Sequence, residues 1–258
     1  MSMRTIKLTI AYDGTNYVGW QVQPNGVAVQ EVVQRAVSSM TGEAASVIGA
    51  GRTDSGVHAV GQAAHFRTLS QISVDKLEKG LNSLLPDDIA IIRAEEAAES
   101  FHANKDARGK VYLYRVLASC GAAPLAVNRC WRMREALDID SMREAARFLV
   151  GEHDFESFRA AGCTAGHAIR RIDEIRIEVA ARPDPLFEGG KDAQLIEFTF
   201  EGAGFVRHMI RNIVGTLKYV GAGRFKPEDV ERILKARKRE QAGRCAPACG
   251  LYLVRVDY

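Results

Sequence analysis

Strand-like and helix-like segments follow one another in the same order in both halves of this chain, and this order constrains the fold most. In the first half, residues 5–12 alternate apolar and polar side chains, as a half-buried strand does. Apolar residues then recur at helical spacing over 29–40, before Gly42, a residue type that often follows a helix end. Strand-like segments at 63–67 and 89–92 flank a second helical pattern. This half is therefore predicted to be a sheet covered by helices.

The second half repeats this theme after a break near residues 104–109. Its predicted elements, in chain order, are a strand at 110–117, a helix from Asp140 or Ser141 that Gly151 ends, strands at 175–179 and 196–200 joined by a turn at 183–191, helices at 206–220 and from Pro227, and a closing strand at 251–258. Strand–helix–strand order that occurs twice predicts an α+β fold of two similar halves. Each half is expected to be a mostly antiparallel sheet covered by helices on one face, with a basic cleft between the halves. We predict an N-terminal α+β domain over 1–105 and a C-terminal α+β domain over 106–258.

Size and composition agree with a cytoplasmic protein of one large or two medium domains. The chain has 258 residues, of which 47% are hydrophobic. No apolar run approaches the roughly 20 residues that span a bilayer, and the first residues lack the apolar core of a signal peptide. The five cysteines are odd in number and scattered, which predicts reduced thiols rather than a disulfide framework.

Charge alone does not decide whether the partner is a nucleic acid. The net charge is +3 and the pI is near 8.6, which is compatible with nucleic-acid binding but does not require it. Basic residues are clustered in two late segments, as Lys235, Arg237, Lys238, Arg239 and Arg244 in one and Arg207, Arg211 and Lys218 in the other. Each cluster is either a phosphate-binding surface or a solvated helix face.

A compact run at residues 49–59 carries the strongest chemical signal. Its three glycines bracket Arg52, Thr53 and Asp54, and Ser55 and His58 follow closely. Glycines allow the backbone to approach a ligand or to turn with positive φ. A carboxylate on such a loop is a candidate nucleophile or general base, and an Asx turn is the structural alternative.

Residues 51–54, Gly-Arg-Thr-Asp, followed by Gly-Val-His at 56–58, resemble the catalytic signature of the TruA-type tRNA pseudouridine synthases. The other motifs that resemble this family, in its own order, are Tyr-Asp-Gly at 12–14, Gly-Trp-Gln at 19–21, Phe-His-Ala at 101–103, Lys-Val-Tyr-Leu-Tyr-Arg at 110–115, Gly-Glu-His-Asp-Phe at 151–155, the basic stretch 205–215 and Gly-Leu-Tyr-Leu at 250–253. They cover nearly the whole chain, and together they are highly specific.

Two positions depart from the family pattern. Ser55 stands where the family commonly has Ala, which is a small change. Asn104 stands where Arg commonly follows the Phe-His-Ala triplet. If that Arg contacts RNA phosphate, Lys105 or Arg108 is expected to compensate for it here.

The resemblance implies isomerisation of uridine to pseudouridine at tRNA positions 38, 39 and 40, in the anticodon arm. The N-glycosidic bond breaks, the uracil turns, and the base is rejoined through carbon. Whether the carboxylate attacks the uracil ring or the sugar carbon stays open. The resemblance also implies a homodimer, and neither a metal nor a cofactor.

The resemblance assigns Asp54 and Arg211 to catalysis and Arg52 and Arg207 to substrate binding. The target base must leave its stack, and Arg52 would fill the vacated space or hold a phosphate. Asp54 must be ionised to act, so a nearby cation is needed, and Arg211 is that cation by resemblance. Arg211 follows Arg207 by four residues, which predicts one shared helix face. The alternatives are a surface ion pair for Arg52 and a solvent-facing Arg211.

Two further side chains complete the predicted site. Tyr112 lies in a predicted strand and would stack on uracil, bind it and relay the proton removed from carbon, unless it is a core tyrosine. Leu253 is predicted to form an apolar wall for the substrate, with a core position as the alternative. His58 is interpreted as structural.

Two other classes of function compete with this interpretation. The first is an RNA-binding protein without chemistry, in which Tyr112 and Tyr114 stack on bases. Phosphate binding alone gives no reason to present the Asp54 carboxylate to a polyanion. The second is a metal-dependent nuclease or phosphatase, which needs several converging carboxylate or His ligands. Asp54 has no carboxylate neighbour in its loop, and no His-x-x-x-His or Asp-x-Asp pattern appears beside it.

Overall fold

The computed structural model describes residues 2–163, 165–180 and 193–258, and these form two compact units. The first unit contains Met1–Lys110 and Tyr252–Tyr258, and the second contains Val111–Leu251. The predicted domain boundary after residue 105 lies close to Lys110, where the first stretch of the first unit ends. The boundary itself stays a prediction. Of the described helices, none is both long and apolar enough to cross a membrane.

Strands and helices are interspersed along the described residues. The elements are β1 (Arg4–Tyr12), α1 (Val29–Thr41), β2 (Ile48–Gly49), β3 (His58–Thr68), α2 (Val74–Leu84), β4 (Ile89–Ala97), β5 (Gly109–Ala118), β6 (Trp131–Met133), α3 (Ile139–Arg147), β7 (Gly151–Asp154), β8 (Ile169–Val179), β9 (Gln194–Gly202), α4 (Met209–Gly221), α5 (Pro227–Ala236) and β10 (Leu251–Asp257). The α+β class with mostly antiparallel strands is confirmed. The likeness of the two halves stays a prediction.

The first unit contains a sheet in the order β4-β1-β3-β10. Strand β1 pairs antiparallel with both β3 and β4, whereas β10 runs parallel to β3. Alternate residues of β1 form the core, and Ile6, Leu8 and Ile10 are each 0% exposed. Full burial of such a side chain contributes roughly 1.5–3 kcal/mol. The register is fixed because a slip of one residue would turn these side chains to the other face.

The second unit contains strands in the order β5-β9-β8-β7, with β8 antiparallel to β7 and β9. Helices α3, α4 and α5 pack on one another beside these strands. Most of α4 is buried, including Ile213 and Val214. A helix that is apolar on more than one face belongs in the interior of a protein.

Two predicted helix starts were wrong. Helix α3 begins at Ile139 because the Asp138 carboxylate accepts hydrogen bonds from Asp140 N and Ser141 N at 3.1 Å each, which makes Asp138 the N-cap. The predicted helix at 206–220 begins only at Met209, because His208 adopts a left-handed conformation with φ of 62°.

Other differences concern short segments. Strands β2, β6 and β7 have four residues or fewer, too short for a periodic pattern to indicate. Strands β8 and β9 pair as the predicted hairpin requires. The turn predicted at 183–191 lies outside the described residues.

Candidate active site

The Asp54 loop connects β2 to β3, and its first residues are hydrogen-bonded to neighbouring backbone and side chains. Ala50 N donates to Ala63 O at 2.7 Å, and Gln62 Nε2 donates to Gly51 O at 2.9 Å. Gln62 is 0% exposed. The start of the loop is therefore fixed to β3 before the chain reaches the polar residues.

The carbonyl of Ala50 accepts two side-chain hydrogen bonds from distant positions. Asn104 Nδ2 donates to it at 2.5 Å and Lys110 Nζ at 3.0 Å. Burial lowers the pKa of Lys110. An ideal Cβ built on Gly51 would lie 3.0 Å from that ammonium, so glycine leaves room for it. Asn104, the departure from the family pattern, thus supports the loop through a carbonyl group.

The residues on either side of Asp54 are held by the segment that follows β1. The hydroxyl of buried Thr53 lies 2.8 Å from Tyr12 Oη, and Trp20 N donates to Thr53 O at 3.1 Å. Gly19 forms an antiparallel bridge with Asp54. An ideal Cβ on Gly19, whose φ is +110°, would lie 2.4 Å from Thr53 O, so this approach requires glycine.

The turn after Asp54 is equally constrained. Val57 N donates to Asp54 O at 3.1 Å, and Gly56 adopts a left-handed φ of 76°. Ser55 Oγ donates to Tyr17 O at 3.1 Å, a bond that the family's usual Ala cannot make. Arg52 is exposed and Asp54 is half-buried. The loop therefore presents a partly accessible carboxylate and an exposed guanidinium from a fixed backbone.

His58 and Leu253 also lie in the first unit. His58 is buried, stacks on Tyr252 with ring centroids 4.7 Å apart, and accepts a hydrogen bond from Gly14 N at 3.1 Å. These contacts agree with its structural interpretation. Leu253 lies opposite Ala59 in the β10–β3 pair and is 0% exposed. Its side chain therefore contacts protein atoms, and contact with a base would require this packing to open.

Tyr112 and Arg211 belong to the second unit. Tyr112 lies on β5, is 8% exposed, and packs edge-to-face on Phe205 with ring centroids 5.4 Å apart. Arg211 is half-buried in the first turn of α4, where its Nε donates to Ala246 O at 2.8 Å. Ala246 N donates in return to Arg211 O at 3.1 Å. The Nε bond orients one edge of the guanidinium, and the backbone bond holds the main chain of Arg211 against Ala246.

The shared helix face predicted for Arg207 and Arg211 was wrong. Arg207 precedes the left-handed His208 and lies outside α4. The side chain of Arg207 is exposed, whereas that of Arg211 is half-buried. The two arginines therefore have different environments, with Arg207 the more accessible to a solvent-borne ligand.

Several cations of the late basic clusters bind groups within the protein. Arg239 donates to Asn212 Oδ1 and to Gly243 O, each at 2.9 Å. Lys218 is 8% exposed and pairs with Glu135 at 2.5 Å. The sequence left open whether each cluster is a phosphate-binding surface or a solvated helix face. Arg239 and Lys218 are neither, because their side chains bind groups within the protein. Among the described residues, no three His, Cys, Asp or Glu side chains are placed to hold a metal ion.

Comparison with known proteins gives matches over nearly the whole chain. A family model described as tRNA pseudouridine synthase matches residues 8–104 and 145–258. The tRNA pseudouridine synthase A of Thermoanaerobacter sp. (strain X514) is 43% identical over 256 residues, which cover 99% of this chain and 100% of that protein. The protein of the same name from Pelobacter propionicus is 45% identical over 256 residues, which cover 99% of this chain and 100% of that protein. A solved Cbf5-Nop10-Gar1 complex is 16% identical over 83% of this chain and 45% of that one, with a TM-score of 0.34.

Proposed function

This chain belongs to the tRNA pseudouridine synthase family, and from that premise we propose which uridines it isomerises and which residues act on them. Its reaction converts uridine in tRNA to pseudouridine. The bond between uracil nitrogen and the sugar breaks, the detached uracil turns, and a carbon–carbon bond forms. The proton displaced from that ring carbon leaves, and the ring nitrogen gains one, so no external oxidant or reductant is required.

The proposal depends most on Asp54, a half-buried residue whose main chain is held in place. Backbone bonds on both sides of Asp54 and the Gly19 bridge leave little freedom for its main chain. A reacting group held in place before substrate arrives avoids an entropic cost in the transition state. A protein that only binds RNA has no use for a constrained anion. This argument favours catalysis over the alternative of a non-catalytic RNA-binding protein.

We assign Asp54 as the carboxylate that attacks or acts as base, and Arg211 as the cation that acts with it in catalysis. Tyr112 is assigned to stack on the uracil and to relay the proton. Its ring is already oriented by Phe205, which supports a positioning role toward a planar base.

The substrate-binding assignments differ in their support. Arg52 and Arg207 are exposed, so both are available to phosphates or to the space that a flipped nucleotide leaves. Tyr112 would bind the base itself. Leu253 is assigned as an apolar wall, and its complete burial means that it would act by packing behind the residues that touch the base.

The substrate positions and the assembly rest on family resemblance. We propose uridines 38, 39 and 40 of the anticodon arm as substrates, a homodimer as the active form, and the cytoplasm as its place of action. Mapping pseudouridine in tRNA from cells that lack this protein tests the positions. Loss at other positions, with 38–40 unaffected, would contradict the assignment.

The central test is Asp54→Asn, which keeps the size of the side chain and removes the anion. We expect no pseudouridine in a single-turnover assay with enzyme in excess, and tritium at uracil C5 should stay on the RNA. Binding of tRNA should be kept or improved. Asp75→Asn, at an exposed position in α2, is the matched control and should retain full activity. Measurable product from Asp54→Asn, checked for deamidation, would contradict the assignment.

A further inference from the structure

Arg211 is held by the segment at 243–247, which packs directly on helix α4. The Arg211–Ala246 pair joins the start of α4 to this segment in both directions. An ideal Cβ on Gly215 would lie 1.6 Å from Arg244 O, and one on Gly243 would lie 2.5 Å from Gly215 O. Only glycines allow so close an approach, so the position of Ala246 is set by the path of the segment.

The next residue of that segment is held by a tyrosine from β5. Tyr114 Oη donates to Pro247 O at 2.8 Å, and Tyr114 is 0% exposed. An ideal Cβ on Gly250 would lie 2.7 Å from Tyr114 Cζ, so the ring is in close contact with the turn at 246–250. Burial raises the pKa of Tyr114 well above its ordinary value, which keeps the hydroxyl protonated as a donor.

We propose that Tyr114 is a positioning residue for the isomerisation, acting through the 246–250 turn on the guanidinium of Arg211. The guanidinium is planar, and its five N–H donors have a fixed geometry. A bond from Nε to a fixed carbonyl therefore orients the whole plane, including the two terminal nitrogens. This inference rests on the proposed role of Arg211. It adds a cause for the orientation of Arg211. That cause is Tyr114, which binds the Pro247 carbonyl from 133 positions away along the chain.

The test is Tyr114→Phe, which keeps the ring and removes the bond to Pro247. We expect the single-turnover rate to fall roughly 10- to 100-fold, as for a small displacement of a catalytic group. The dissociation constant for tRNA should change by less than about twofold, since no phosphate contact is removed. Asp138→Ala removes the α3 cap from the same unit. It controls for lost stability and should leave the rate unchanged.

A double-mutant cycle separates positioning from a general structural effect. Lysine has no counterpart of Nε, so Tyr114→Phe should cause no further loss in an Arg211→Lys background. Multiplicative losses would overturn the proposal, and so would a Tyr114→Phe enzyme as fast as the parent. If Tyr114→Phe does not fold, Pro247→Ala loosens the same turn while it keeps the carbonyl. A parental rate for Pro247→Ala would then overturn the proposal.

The outcomes also distinguish this inference from the function on which it rests. Absence of product from the parent enzyme would remove the proposed function itself. Full activity of Arg211→Lys would remove the role of Arg211. A slow Arg211→Lys enzyme beside a fast Tyr114→Phe enzyme would refute the positioning role of Tyr114 alone.

Discussion

The hydroxyl of Tyr12 lies 2.8 Å from the hydroxyl of Thr53, the residue directly before Asp54. Both side chains are largely buried, at 4% and 7% exposed. The last residue of β1 thus contacts the residue that determines where the Asp54 backbone lies. This bond is one of the contacts that join the core of the first unit to the loop of the candidate catalytic carboxylate.

Tyr12→Phe should therefore reduce both stability and activity. The change leaves the buried Thr53 hydroxyl without this partner, which costs about 1–3 kcal/mol. The single-turnover rate should fall by up to about 100-fold as the loop loses its fixed position. Denaturant unfolding and single-turnover assays measure the two effects.

A matched variant at the other end of β1 serves as control. Thr5→Val removes the bond from Thr5 Oγ1 to Glu99 O at 3.2 Å. Its stability should fall by a similar amount with no change in rate. Equal rates for Tyr12→Phe and Thr5→Val would show that the Tyr12–Thr53 bond does not position Asp54.

Lys110→Met should slow the reaction without loss of stability. Burial lowers the pKa of Lys110, so the charged form is less favourable in the folded state than in water. Methionine has a side chain of similar length and removes this cost. Of the two side-chain hydrogen bonds that Ala50 O accepts, only the one from Asn104 then remains. Thermal unfolding and single-turnover kinetics measure the outcome. A large drop in stability at the parental rate would contradict a role in loop position.

Arg211→Lys should not be a conservative change. Lysine loses the Nε bond to Ala246 O and the planar fork that holds a carboxylate through two bonds. Turnover should drop by orders of magnitude while tRNA binding is largely kept. Arg207→Lys is the paired comparison, because exposed Arg207 needs only charge to meet a phosphate, and turnover should stay near normal. The reverse order of effects would transfer the catalytic role to Arg207.

His65 should make the protein less stable in mild acid. Its Nδ1 accepts a hydrogen bond from Ala103 N at 3.1 Å, and burial, with smaller effects from His102 and Arg67, lowers its pKa below the ordinary value of 6.5. Between the lowered value and 6.5, the unfolded chain binds a proton that the folded protein does not. The free energy of unfolding should therefore rise with pH across this window, and the contribution of His65 is lost as the pH falls from 6.5 through the lowered value.

His65→Asn tests this sign, because the amide oxygen accepts a similar bond and does not titrate. Urea unfolding at about pH 5 and about pH 7.5 should show a smaller difference for the variant than for the parent. The exposed His167→Asn change should leave the difference as it is in the parent. An undiminished pH dependence in His65→Asn would assign the effect to other groups.

Two neighbouring cations should respond differently to removal. Arg239→Ala removes the bonds to Asn212 and Gly243, which costs roughly 1.5–3 kcal/mol of stability for bonds from a charged group. Lys238 is exposed, so Lys238→Ala should weaken tRNA binding broadly and reduce the salt slope by about one. Unfolding experiments and binding at several salt concentrations separate the two. Unchanged affinity for Lys238→Ala would make this position a solvated face.

Sequence patterns alone were sufficient for the elements that short-range interactions define. The alternation of β1 predicted its buried face, Gly42 ends α1 with a left-handed φ of 74°, and Pro227 begins α5. The physical reason is that each of these features depends on residues within about one helical turn or on the two sides of one strand. The order of motifs around Asp54 likewise identifies the family.

Only the tertiary structure decided which distant groups meet. Asn104 lies 54 positions from Ala50, and Tyr114 lies 133 positions from Pro247. No local periodicity encodes such pairs, because the path of the chain between the partners determines them. The same reason explains why the start of α4 was misplaced. The sequence shows helical spacing from about residue 206, but the left-handed φ of His208 is incompatible with a helix, so α4 begins only at Met209.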